Sequence, residues 1–161
     1  MKIILKVAAI SFLLFCISGC AIFLPPAYKE PEQAPIAYIK FDVPNIDEHF
    51  YDVFVFKNPK NCTDPYNLRA WTYHKKAYPL KIEANKRFIF GTYTGVPLEC
   101  SITASFIPIE QGYYVAYFDL DNEKSVCSLS VVRVLQNSEI PIKLLKYKIT
   151  RPFFANGSYC Q

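Results

Sequence analysis

Between Cys100 and Val134 the side chains alternate so regularly that a β-sheet is almost the only structure open to the stretch. Cys100, Ile102, Ala104 and Phe106 fall on one side of an extended chain, and Ser101, Thr103 and Ser105 on the other. Pro108 and Gly112 bracket a turn, Tyr113 to Leu120 form a second run, and Asp121-Asn122 turns the chain again. Cys127, Leu129 and Val131 then alternate with Ser128 and Ser130. A period of two belongs to strands, whose successive side chains point to opposite faces. The apolar set is expected to face a core, and the Ser/Thr set to form a wet, polar face.

The same signal recurs upstream. Ala37, Ile39, Phe41 and Val43 alternate with Tyr38, Lys40 and Asp42, and residues 50–56 are apolar on both faces apart from Asp52, as a central strand would be. Asn58 to Pro65 reads as a loop carrying Cys62, because Asn58-Pro59 and Asp64-Pro65 are turn dipeptides. Leu68 to Tyr73 is expected to be the third strand, with the single tryptophan, Trp71, as a core anchor. Leu80, Ile82 and Ala84, then Phe88, Phe90 and Thr92, continue the pattern. Ile142 to Ile149 reads as a short strand or a helical turn, and Tyr147, Ile149 and Thr150 favour the strand. Thirteen Phe and twelve Tyr against one Met, with twelve Pro cutting the chain into short pieces, suit a mainly β domain.

The N-terminus follows a different rule. Lys2 and Lys6 precede an apolar run from Val7 to Ile17, interrupted only by Ser11 and well short of the roughly 20 residues a membrane span needs. This is the pattern of an export signal. Its last residues, Ile17-Ser18-Gly19-Cys20, resemble the lipobox of bacterial lipoproteins. The resemblance implies a signal peptide over residues 1–19, cleavage before Cys20, and acylation of the Cys20 thiol and amino group. Several acyl chains, at about 0.8 kcal/mol per buried methylene, give lasting attachment to a bilayer. Ala21, where inner-membrane retention usually has Asp, implies the outer membrane, with the domain facing the periplasm or the cell surface. Ordinary signal cleavage and a simple N-terminal anchor are the competing readings.

Residues 20–34, with Pro25, Pro26 and Pro31, are then a lipidated cysteine and an extended tether, and residues 35–161 a single domain. Removing residues 1–19 takes Lys2 and Lys6 from 18 basic residues and leaves 16 against 14 acidic ones. So small a charge gives no reason to propose nucleic acid as a partner. Cys16 leaves with the signal and Cys20 carries lipid, so Cys62, Cys100, Cys127 and Cys160 remain. In an oxidising compartment they read as two disulfides, with three possible connectivities. Zinc is disfavoured, since no C-x-x-C pair exists and His49 and His74 sit near none of the cysteines.

The Pro108-to-Tyr113 corner resembles the end of an immunoglobulin-like sandwich, in which a tyrosine hydroxyl bonds back to the backbone. Tyr113 or Tyr114 is the candidate. The C…F-x-P…Y…C rhythm is also similar to that of small bacterial lipoproteins. The resemblance implies a mainly β, immunoglobulin-like or transthyretin-like antiparallel β-sandwich with two disulfides. In such a sandwich Cys100 and Cys127 start strands at the same end and bridge opposed sheets, which leaves Cys62 to pair with Cys160.

No catalytic motif is present: no Gly-x-Ser-x-Gly, no phosphate-binding Gly loop and no His-Glu-x-x-His. Asp47-Glu48-His49, the nearest titratable cluster, reads as a loop. Lys143, Lys146, Lys148 and Arg151 form a basic patch, serving edge protection or contact with an acidic partner. The expectation is a non-enzymatic lipoprotein with a binding or structural role in the cell envelope. It needs no cofactor beyond the lipid on Cys20, and its partners are the bilayer, through the acyl chains, and envelope proteins. The alternative is a periplasmic inhibitor or a small-ligand or glycan-binding protein, using aromatics around Tyr66 to Tyr78 or Tyr113 to Tyr117. A pocket would favour a ligand, whereas a closed core with an open sheet edge would favour a protein partner.

Overall fold

The alternating segments pair into two five-stranded sheets laid face to face. The computed structural model describes residues 25–42, 51–68, 78–94, 100–121, 126–136, 138–150 and 158–160, and every regular element among them is a strand. The strands are β1 (Ile36–Asp42), β2 (Tyr51–Asn58), β3 (Thr63–Asn67), β4 (Leu80–Glu83), β5 (Phe88–Thr94), β6 (Cys100–Phe106), β7 (Tyr113–Asp121), β8 (Val126–Leu135), β9 (Ser138–Pro141) and β10 (Leu145–Tyr147). One sheet has the order β4-β1-β7-β8-β9, the other β10-β6-β5-β2-β3. The molecule is a β-sandwich. Pairing is antiparallel except between β1 and β7, which run parallel with Tyr38 opposite Tyr113.

The inward sets are those the alternation marked. Ile39, Val53, Phe90, Ala104, Tyr114, Phe118 and Val131 are all buried between the sheets. Rings dominate the contact: Phe41 meets Phe90 edge-on at 5.4 Å between centroids, and Phe106 meets Tyr114 at 4.9 Å. Each such ring contributes about 1.5–3 kcal/mol through burial alone. Tyr114, 1% exposed, is also the corner tyrosine, its hydroxyl accepting a hydrogen bond from the Ile109 N–H at 2.9 Å. Gly112 is required there, because a Cβ on it would lie 2.8 Å from the Tyr114 ring and 2.9 Å from the Ile109 carbonyl oxygen.

Both open seams of the sandwich are closed by chain. On one side Ile142 and Leu144 pack on the core as the chain crosses from β9 in one sheet to β10 in the other. The strand expected from Ile142 therefore begins only at Leu145. On the other side lies a segment expected to run free as a tether. Instead, Asn67 N–H donates to the Pro26 carbonyl at 2.9 Å, Tyr28 N–H to the Asn67 carbonyl at 3.2 Å, and Lys81 N–H to Glu30 Oε1 at 2.9 Å. Tyr28 packs on the main core. Among the described residues the docked chain thus includes Pro26 to Glu30, ahead of Pro35, because the edges of β3 and β4 offer hydrogen bonds that an extended, Pro-rich segment can take.

One further expectation changes. Residues 69–73 of the strand expected from Leu68 lie outside the described residues, and a strand, Thr63–Asn67, overlaps the expected loop at Thr63 to Pro65. Its turn chemistry is real, with Cys62 and Asp64 at φ of 49° and 54°, and Pro65 is tolerated because β3 is an edge strand. Trp71 and His74 lie outside the described residues, as do the expected signal segment, Cys20 and Asp47-Glu48-His49.

The disulfides are Cys100–Cys127 and Cys62–Cys160, with Cα separations of 6.4 and 5.4 Å. The first joins β6 to β8 across the two sheets. The second ties the C-terminus to the turn before β3.

Candidate functional site

The second sheet carries a second apolar layer on its outer side. Phe54 and Phe56 from β2, Ile89, Gly91 and Tyr93 from β5, and Ser101, Thr103 and Ser105 from β6 face away from the main core. The Ser/Thr row was expected to be wet, yet Thr103 is 3% exposed and Ser105 fully buried. Their cover is the C-terminal chain. Ile149 and Cys160 form an antiparallel bridge, Thr150 N–H donates to the Tyr159 carbonyl at 3.0 Å, and Tyr159 N–H donates to the Cys62 carbonyl at 3.3 Å. Ser158 Oγ donates to the Asn61 carbonyl at 2.7 Å. The Cys62–Cys160 bridge, buried at both ends, clamps this strap to the sheet.

Under the strap a small cluster forms from Phe56, Cys62, Ile89 and Cys160, with Phe54, Tyr147 and Tyr159 against it. Ser105 satisfies its buried hydroxyl with two partners: Arg87 Nη1 donates to it at 3.1 Å, and the Tyr147 hydroxyl lies at 3.0 Å. Tyr159 stacks at a tilt on Phe56, 5.6 Å between centroids, and burial raises its phenol pKa.

Beside this cluster the strap leaves a pocket of about 260 Å³, walled by Phe54, Phe56, Tyr93 and Tyr159. Gly91 lies on its floor, and Thr92, Ser101, Thr103, Ile149 and Thr150 also line it. A Cβ on Gly91 would stand 3.0 Å from Thr103 Oγ1 and 3.1 Å from the Phe56 ring, so glycine is what lets that ring lie close to the sheet. Among the described residues of the lining, the titratable side chains are tyrosines. A cavity of about 150 Å³ accepts benzene, so this one accommodates one or two fused rings. The sequence hinted at it in a single place, the two-sided apolar character of residues 50–56, whose outward half is Phe54 and Phe56.

The other candidate contacts are more dispersed. Lys143, Lys146 and Lys148 are exposed on and beside the β10 edge, while Arg151 lies outside the described residues. Tyr113 is half-buried on β7, and the Tyr117 hydroxyl donates to Glu139 Oε1 at 2.9 Å, a bond that raises its pKa. Tyr66 meets Tyr28 edge-on at 6.2 Å, and Tyr78 is exposed. Among the described residues no cluster of three metal-ligating side chains occurs, and no helix is long and apolar enough to cross a membrane. Comparison with protein-family models finds no match, and neither the curated proteins nor the solved structures yield a significant one.

Proposed function

We propose that the chain is an exported, lipid-anchored binding protein whose outer pocket takes a small neutral ring compound. The pocket beneath the strap carries this reading: aromatic walls present flat apolar faces, a few hydroxyls stand at hand for a substituent, and among the described residues no carboxylate, amine, guanidinium or imidazole lines it. Such a lining holds and orients a ligand rather than transforming it. The Ile17-Ser18-Gly19-Cys20 signature supports the anchor through Cys20. The two disulfides support an oxidising compartment outside the cytoplasm. The binding role is non-enzymatic and located at the cell envelope.

Two measurements test the two halves. Titration of the isotope-labelled domain with 2-naphthol is expected to shift the amide signals of Gly91, Tyr93 and Thr150, and Phe54→Ala is expected to weaken that binding about tenfold by removing a stacking wall. Unmoved signals at those three residues, or undiminished binding to the variant, overturn the pocket assignment. Methyl β-glucoside run in parallel asks whether a sugar ring is accepted. For the anchor, Cys20→Ser is expected to release the domain into the soluble fraction of the cell, and continued membrane attachment refutes it.

A further inference from the structure

A second pocket, of about 240 Å³, opens where the docked N-terminal segment meets the ends of β2 and β5, and its chemistry is different. One wall is Tyr28, fixed by its backbone bond to Asn67 and by its hydroxyl, which donates to the Lys81 carbonyl at 3.1 Å. Tyr66 stands edge-on to it, and Val55 and Phe88 add apolar surface. Four cations line the opening: Lys29, Lys57, Lys86 and Arg87. Among the described residues lining it, Glu83 is the single carboxylate, and it is already paired with Lys86.

We propose that this pocket is a binding site for a small organic anion, one that carries a carboxylate or phosphate on a flat apolar ring. The shape fits such a molecule in two parts. The ring lies against the Tyr28 and Tyr66 side chains, of which Tyr28 is held in place by its backbone and hydroxyl bonds. The anionic group then faces ammonium and guanidinium donors, whose charge-assisted hydrogen bonds are about twice as strong as neutral ones. A neutral ring gains nothing from that rim, and a bare inorganic anion gains nothing from the tyrosines. The selectivity is therefore opposite to that of the pocket under the strap, although Phe56 lines both.

Titrations with 2-naphthoate and with its neutral isostere 2-naphthamide test this on the full folded domain, read by the amide signals of Tyr28, Tyr66 and Arg87. Naphthoate is expected to shift all three and to bind about tenfold more tightly than naphthamide, with the gap closing at high salt. Glu83→Gln removes the one negative charge in the lining and frees Lys86; it is expected to tighten naphthoate about two- to fivefold, while Lys57→Gln loosens it by a similar factor. Both positions are on the accessible rim, so both variants are expected to fold. Equal affinity for the two probes, no tightening in Glu83→Gln, or naphthoate shifts confined to Gly91 and Tyr93 would each overturn the proposal.

Discussion

Removing the two disulfides one at a time ought to have unequal consequences, and the inequality can be worked from the fold. Cys62 and Cys160 are 98 residues apart, Cys100 and Cys127 only 27, and the shorter loop lies wholly inside the longer. With the inner bridge intact, 98 links less the 27 it spans leaves about 71 in the outer loop. In the chain-entropy account, loops of about 71 and 27 links restrict the unfolded chain by about 4.4 and 3.6 kcal/mol. Packing widens the gap. Cys62 and Cys160 are 0% and 1% exposed, so replacing each by Ala removes a sulfur from a filled site, roughly another 1 kcal/mol apiece. Cys100 and Cys127 are half-buried, and that term is small for them.

Cys62→Ala/Cys160→Ala is therefore expected to lose about 6–6.5 kcal/mol, and Cys100→Ala/Cys127→Ala about 3.5–4 kcal/mol. Urea unfolding followed by tryptophan fluorescence, with each variant oxidised at its remaining pair, measures both. A local signature accompanies the first loss: the Thr150 and Tyr159 amides, bonded within the strap and from the strap to Cys62, should exchange with solvent much faster while the Tyr114 amide keeps its protection. If the inner pair proves to cost as much as the outer, or if the strap amides stay protected without Cys62–Cys160, the idea that this bridge clamps the strap fails.

Three other outcomes follow from single contacts. Tyr114→Phe deletes the acceptor for the Ile109 N–H and is expected to cost about 1–3 kcal/mol in urea unfolding, since that donor is left unsatisfied in a part-buried corner; a loss below about 0.5 kcal/mol would remove the corner from the stability argument. Gly112→Ala should be at least as damaging, because its Cβ meets both the Tyr114 ring and a backbone oxygen that cannot move aside; wild-type stability would show that the corner relaxes freely. The Tyr28 phenol is pushed up from 10.0 to about 12, first by burial and then by Glu30 and Glu83. The folded state thus keeps this proton longer than the unfolded chain does, so its stabilisation is complete below pH 10 and drains away as pH rises toward 12. Discounted for partial exposure, the loss is about 1–2 kcal/mol, and Tyr28→Phe should abolish that component of the alkaline decline.

How much of this was legible in the residues depends on the range of the interaction that decides each feature. The alternation of Cys100 to Phe106 fixes which side chains share a face, because side-chain direction in a strand is a local property, and both sheets inherit their cores from it. What alternation cannot say is whether the other face meets water. Ser101, Thr103 and Ser105 read as solvent-facing because hydroxyls usually are, yet Ser105 is buried beneath a chain more than forty residues later, its cost met by Arg87 and the Tyr147 hydroxyl. The same holds for Pro26 to Glu30, whose partners Asn67 and Lys81 are about forty to fifty residues away, and for the parallel pairing of β1 with β7. No local pattern encodes such contacts.

That failure has a direction. Phe54 and Phe56 stand on the outward side of β2, beside the row of Ser and Thr, and a sheet with large rings on its outer face must cover them or expose them. Here the strap covers Phe56 and leaves Phe54 at the edge of a pocket, while hydroxyls rather than further rings fill the neighbouring rows. Had Thr103 and Ser105 been Val or Leu, the strap would have had a continuous apolar surface to close upon, and the space above Gly91 would have been filled. The mixed row therefore matters twice: it accounts for the reading of the face as wet, and its small polar side chains keep the covered layer from packing shut. A prediction separates this from chance. Thr103→Leu should stabilise the strap, slowing Thr150 and Tyr159 amide exchange, while reducing 2-naphthol binding about tenfold or more by occupying the pocket floor. Slower exchange with undiminished binding would mean that the pocket lies elsewhere than over Gly91.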